Sequence, residues 1–121
     1  MSHKILIVDD SATIRAQLRS TLLPEGFDVI EAVDGVDGYQ KAHNQDGLSM
    51  MICDVNMPRM NGIELVTKLS EQGNQVPIIM LTTEGQPSLI QQAKKAGVKG
   101  WIVKPFTPSL LVKAVAKLAQ K

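Results

Sequence analysis

The chain has 121 residues with a net charge of +1, which suits one domain around one hydrophobic core. With 44% hydrophobic and 21% charged residues it is too apolar to be disordered, and its single cysteine excludes an internal disulfide and, with only two histidines, a four-ligand structural zinc site. Four scattered aromatics make a poor base-stacking surface, and every apolar run is too short to span a membrane.

The first apolar run, residues 5–8, is stopped at once by Asp9 and Asp10, which argues against a signal peptide and for a cytoplasmic setting. That run is continuous, as in a strand buried on both faces. Residues 11–23 carry Ile14, Leu18 and Leu22 four apart, predicting a helix ended by Pro24 and Gly26. Residues 28–32 predict a weaker strand, whose acids suggest a sheet edge. A short helix over 35–42 is weakened by Gly35 and Gly38. Residues 50–53 form a third strand ending at Asp54. Pro58 and Asn61-Gly62 mark a loop before a helix over 63–69, with Glu64 in its first turn.

The clearest strand spans 76–81, closed by Thr82 and Thr83. A helix over 88–96 stops at Gly97, and residues 100–103 form the fifth strand. Thr107 and Pro108 open the last helix as N-cap and first-position proline, with Leu111, Val115 and Leu118 inward. This strand–helix alternation predicts an α/β fold, a parallel sheet with helices on both faces. Neither linker nor repeat interrupts it, so residues 1–121 are expected to be a single domain.

In such a sheet, ligands bind outside the carboxyl ends of the strands. The residues that follow the apolar runs there are Asp9 and Asp10, then Asp54, Thr82 and Lys104. Carboxylates brought together repel unless a cation joins them. Hard oxygen ligands suit Mg²⁺, and three aspartates with one lysine and a dication are neutral together. A phosphoryl group is then a natural guest, because a magnesium ion, a lysine and a hydroxyl form its usual clamp. One aspartate could itself be the nucleophile. No GxxxxGK[ST] loop is present for direct nucleotide hydrolysis, and no GxGxxG follows the first strand.

The runs Ile5-Leu6-Ile7-Val8-Asp9-Asp10-Ser11, Asp54-Val55-Asn56-Met57-Pro58-Arg59-Met60-Asn61-Gly62, Leu81-Thr82-Thr83-Glu84 and Trp101-Ile102-Val103-Lys104-Pro105-Phe106 together resemble the receiver domains of two-component response regulators. The resemblance covers essentially the whole chain. It implies a flavodoxin-like (βα)5 fold with strand order 2-1-3-4-5, and a lone receiver domain without an output domain. By the same resemblance Asp54 is the phosphoacceptor, and Asp10, Asp54 and the backbone carbonyl of Asn56 ligate Mg²⁺ while Asp9 acts through water. Lys104 pairs with the acyl phosphate, Thr82 bonds a phosphoryl oxygen, and a cis Lys104-Pro105 peptide aims the lysine. Asn56 and Glu84 tune dephosphorylation. Trp101 stands where the family usually has Tyr or Phe at a rotamer switch, and its N–H needs a partner or solvent.

The resemblance further implies a signalling switch rather than an enzyme, catalysing only its own phosphorylation and dephosphorylation. A histidine kinase or histidine phosphotransfer protein is the expected donor. The output partner is expected on the face of the fourth helix, fifth strand and fifth helix. Chemotaxis-type receivers are the nearest variety, with the flagellar motor switch as target. A phosphorelay shuttle or phosphate sink is the alternative, and a haloacid-dehalogenase-like phosphatase or an FMN carrier is a more distant one. A monomer is expected, with no nucleic acid and no membrane insertion.

Charge is divided unevenly. Residues 1–60 hold five basic against nine acidic groups, and residues 61–121 hold eight lysines against three glutamates. Lys94, Lys95, Lys99, Lys113 and Lys117 are either a solvated face or a surface for an acidic partner. Cys53 reads as a small core side chain, and His3 and His43 as surface residues.

Overall fold

The computed structural model describes residues 3–44, 47–83 and 87–119. The apolar runs form strands β1 (His3–Val8), β2 (Phe27–Ala32), β3 (Leu48–Cys53), β4 (Ile78–Thr82) and β5 (Gly100–Val103). Between and after them lie helices α1 (Ala12–Leu22), α2 (Gly35–Asn44), α3 (Gly62–Glu71), α4 (Pro87–Lys95) and α5 (Pro108–Ala119). All neighbouring strands pair in parallel, in the order β2-β1-β3-β4-β5. The acidic β2 is an edge, as its composition suggests.

Alternation along the strands sorts the core into two layers. Leu6, Val8, Met51, Cys53, Ile78 and Met80 pack with α2, α3 and α4 through Ala42, Leu65, Val66, Leu69 and Ala93. Ile5, Ile7, Met50, Ile52, Ile79 and Leu81 face the other way, against Leu18 and Leu22 of α1 and Leu111, Val115 and Ala119 of α5. Two helices thus cover one sheet face and three the other.

The element ends differ from expectation where local hydrogen bonding decides. Ser11 stays outside α1 as its N-cap and accepts from the Ile14 amide, while Pro24 enters a short 3-10 turn closed by Gly26 at φ 88. Val76 and Pro77 do not belong to β4. The Val76 amide donates to Asn74 Oδ1 at 2.9 Å, and proline has no N–H to give the ladder. β2 starts one residue early and buries Phe27. His3, expected at the surface, is half-buried. It pairs with Phe27 across the β1–β2 ladder, and its Nδ1 lies 3.0 Å from the Ser49 hydroxyl.

The glycines that weaken α2 as a helix permit its close packing. A Cβ on Gly38 would lie 2.8 Å from a Val8 methyl, and one on Gly35 would lie 2.1 Å from the Met60 carbonyl oxygen. Because the second obstacle is backbone, it cannot rotate away. Gly35→Ala is expected to lower stability by about 1–3 kcal/mol despite alanine's better helix propensity, as steric overpacking does. Urea denaturation followed by far-UV circular dichroism checks this, and an unchanged midpoint would contradict it.

Candidate functional site

Strand ends set the positions of the polar residues. The Asp9 amide donates to the Ala32 carbonyl, the Asp54 amide to Val8 and the Lys104 amide to Thr82, at 3.1, 2.9 and 2.7 Å. The ladder therefore continues one residue past β1, β3 and β5 and fixes three side chains at the carboxyl edge of the sheet. Thr82 is the last residue of β4 and is fully buried.

Carboxylate oxygens of Asp9, Asp10 and Asp54 lie within 4.8 Å of one another. Asp9 and Asp54 are only 1% and 6% exposed, whereas Asp10 is exposed. Lys104 Nζ stands 3.0 Å from Asp9 Oδ2 and 3.5 Å from Asp54 Oδ1. Asp9 Oδ1 accepts from the Ser11 amide at 2.8 Å, and Asp54 Oδ1 from the Val55 amide at 2.9 Å. One ammonium thus faces three carboxylates, an imbalance that a divalent cation corrects. The donor set is hard oxygen, which suits Mg²⁺.

Burial, then the neighbouring Asp9 charge, pushes the Asp54 carboxyl up to about 6, with Lys104 pulling the other way. Burial and the same two aspartates raise the thiol of Cys53 well above its ordinary range, and its Sγ–H donates to the Asp54 carbonyl at 3.3 Å. A thiol so placed is a core side chain, as expected of Cys53, because reactivity requires the thiolate. The Lys104-Pro105 peptide is cis. An open groove of about 1030 Å³ beside the site has Thr13, Gln17, Thr83, Lys104 and Phe106 in its wall.

Other expected residues lie where the strand order puts them. Asn56 is exposed two residues past Asp54. Trp101 is half-buried on β5 opposite Met80, and its Nε1–H is buried without a hydrogen-bond partner among the described residues. Glu84 lies outside the described residues. Lys94, Lys95, Lys99, Lys113 and Lys117 are all exposed.

Sequence reasoning missed the groups behind the site. Arg15 donates to the Asp9 carbonyl at 2.6 Å and to Glu31 at 3.2 Å, tying the first acidic loop to β2. Its position four after the Ser11 cap, on the first turn of α1, was the available signal.

Residues 5–116 match the family model of the response regulator receiver domain. The chain belongs to that family. The chemotaxis protein CheY1 of Helicobacter pylori is 45% identical over 111 residues, 89% of this chain and 90% of that protein. The structure of chemotaxis protein CheY4 of Vibrio cholerae superposes with a TM-score of 0.90 at 40% identity, covering 98% of this chain and 99% of that one. The CheX–CheY–BeF3–Mg²⁺ complex of Borrelia burgdorferi gives 0.90 at 30% identity, over 96% of this chain and 88% of that one. A receiver domain is a phosphoacceptor switch of two-component signalling, not a metabolic enzyme. None of the described helices is long and apolar enough to cross a membrane.

The raised Asp54 carboxyl has a consequence for stability. The folded chain holds this proton to about pH 6 and the unfolded chain to about 3.8. Its stabilising contribution is therefore full below the lower value and lost as pH rises through the upper one. In metal-free buffer Asp54→Asn is expected to be the more stable protein at about pH 8, by roughly 2–3 kcal/mol. That advantage should shrink steadily towards about pH 4. Thermal melts of both proteins across this interval check it, and an advantage independent of pH would contradict it.

Proposed function

We propose that Asp54 is the phosphoacceptor and that phosphoryl transfer to it, from a histidine kinase or histidine phosphotransfer protein, switches the output face. The observation that carries this reading is a buried carboxylate at the end of β3, 3.5 Å from Lys104 and grouped with two further carboxylates. With a carboxyl that titrates at about 6, Asp54 is mostly ionised at neutral pH and can act as a nucleophile. One of its oxygens attacks phosphorus while the bond from phosphorus to the donor imidazole nitrogen breaks, and the electron pair stays on that nitrogen. An acyl phosphate results.

Asp10, Asp54 and the backbone carbonyl of Asn56 would hold Mg²⁺, with Asp9 acting through water. Both Asp9 oxygens are already engaged, one by Ser11 and one by Lys104, which favours the indirect role. When bound, the ion supplies positive charge that lets a carboxylate and an anionic phosphoryl group approach. Lys104, 3.0 Å from Asp9 and 3.5 Å from Asp54, would pair with the phosphoryl group once Asp54 carries it. The Thr82 hydroxyl, at the next strand end, would donate to a phosphoryl oxygen. Asn56 and Glu84 would place the water that later attacks phosphorus and releases phosphate. Asn56 also stands where a haloacid-dehalogenase-like phosphatase needs a second aspartate, which argues against that alternative.

The relatives named as chemotaxis proteins favour a chemotaxis regulator, and its target would be the flagellar motor switch. The surface of α4, β5 and α5 fits this role. It presents exposed lysines on α4 and α5, with Val103 and Leu110 at 50% and 61% exposure as apolar anchors. Such a face suits an acidic, partly apolar segment.

Incubation with a small acyl phosphate and Mg²⁺ is expected to add one phosphoryl group that alkali and hydroxylamine remove, as they do an acyl phosphate. Asp54→Asn and chelation of the metal should both abolish it, as intact-mass spectrometry would show; label persisting in Asp54→Asn would refute the assignment. Neutralising Lys94, Lys95 and Lys113 together is expected to weaken phosphorylation-dependent partner binding roughly tenfold at low salt while leaving phosphorylation intact. Unchanged binding of motor-switch protein at low salt would count against the basic face.

A further inference from the structure

The loop from Asp54 to Asn61 carries both the phosphoacceptor and Asn56, and it is fastened at its ends and at its middle by different means. At the ends, the Gly62 amide donates to the Val55 carbonyl at 2.8 Å. Asn61 and Glu64 close a reciprocal capping box at the start of α3. A Cβ on Gly62 would lie 2.0 Å from the Asp54 carbonyl oxygen, so the backbone passes itself as closely as it can.

The middle is held from another element. Arg59 Nε donates to Asp34 Oδ2 at 2.9 Å, and its Nη2 donates to the same oxygen. Asp34 is buried, and its other oxygen caps α2 by accepting from the Asp37 amide at 2.8 Å. That cap, with the Arg59 contact next in strength, holds the Asp34 carboxyl below its ordinary range. Arg59 reaches this oxygen from a left-handed backbone at φ 67. A non-glycine residue persists there only where its surroundings hold it. The Arg59 side chain is 63% exposed, so it fills no core space, and its bond to Asp34 is what it contributes.

We infer that Arg59 is a positioning residue, whose clasp on buried Asp34 fixes the shape of the loop that carries Asp54 and Asn56 and so sets the Mg²⁺ affinity of the site. This rests on the reading of that loop as the Mg²⁺ and phosphoryl site. Groups that orient metal ligands matter in this way because a misplaced ligand costs affinity even when every ligand is present.

The test uses the intact chain and MgCl₂ as the probe. Arg59→Gly keeps the left-handed turn without strain and removes the clasp. Asp34→Asn keeps an acceptor for the α2 cap and removes the charge. Calorimetric titration is expected to show about tenfold weaker Mg²⁺ binding in each, with no further loss in the double variant. Arg59→Lys should recover part of it, as a single ammonium replaces two guanidinium donors. Metal-free amide exchange should quicken at residues 55–60 in Asp34→Asn, whose loop sequence is untouched, with β1 and β3 unchanged. Wild-type affinity in either single variant, or wild-type loop exchange in Asp34→Asn, overturns the clasp. Failure of the wild-type chain to bind Mg²⁺ overturns the phosphoacceptor reading instead, and the exchange measurement then decides the clasp by itself.

Discussion

A single ammonium among three carboxylates governs this molecule. Lys104 reaches Asp9 and Asp54 together, and nothing else cationic is within hydrogen-bond reach of Asp54 among the described residues. The compensation is partial by construction. Full neutralisation by protein groups would leave no attraction for a dication, and none at all would drive protons onto the buried aspartates. The intermediate arrangement leaves Asp54 ionised at neutral pH yet under-solvated, which is a poised nucleophile and an open cation site at once. The carboxyl edge of the sheet makes this possible, because β1, β3 and β5 each extend their ladder by one residue to hold a charged side chain in place.

Behind that edge, β2 has a less obvious part. It contributes no ligand, yet Glu31 on this strand and Asp34 just after it receive the two arginines that touch the site loops. Arg15 binds the carbonyl of Asp9, and Arg59 holds the loop after Asp54. Five of the nine acids in the first half of the chain therefore serve in or around the site. Asp9, Asp10 and Asp54 form the site, while Glu31 and Asp34 anchor its surroundings. An edge strand of ordinary solvated acids would look the same in composition.

This difference shows where the sequence was legible. Strand ends followed by polar residues are a local signal, so Asp9, Asp54, Thr82 and Lys104 could be placed on one edge from the chain alone. Continuous apolar runs gave the parallel sheet for a similar reason. Boundaries set by hydrogen bonds to neighbours were harder. Val76 and Pro77 have the composition of a strand, but the Val76 amide goes to Asn74 and proline offers none. Gly35 and Gly38 weakened α2 as a helix because propensity is local, whereas their use, contact with Met60 and Val8, is tertiary. The Arg59–Asp34 bond joins loops 25 residues apart, and no periodicity marks it. His3 was misjudged for a related reason, since its partners Ser49 and Phe27 arrive only when the sheet forms.

The remaining asymmetry, an acidic edge and a basic face, connects through very little structure. β4 and β5 share a short ladder in which Met80 stands opposite Trp101 and Thr82 opposite Val103. One end of that ladder lies at the site, and towards the other Trp101 lines a small pocket with Lys94 and Lys99. On the proposed reading, a phosphoryl group adds negative charge at Asp54 and draws on Lys104 and Thr82, both bonded through their backbones at the ladder's end. Only a differential contact in two arrangements can transmit this to the face. On that reading the difference would reside at Trp101, which stands opposite Met80 in this ladder. Its indole N–H is buried without a hydrogen-bond partner among the described residues, a condition that any arrangement offering an acceptor improves. A tyrosine at this position would carry its donor at the ring's far end and a phenylalanine would have none, so neither would bury an N–H here.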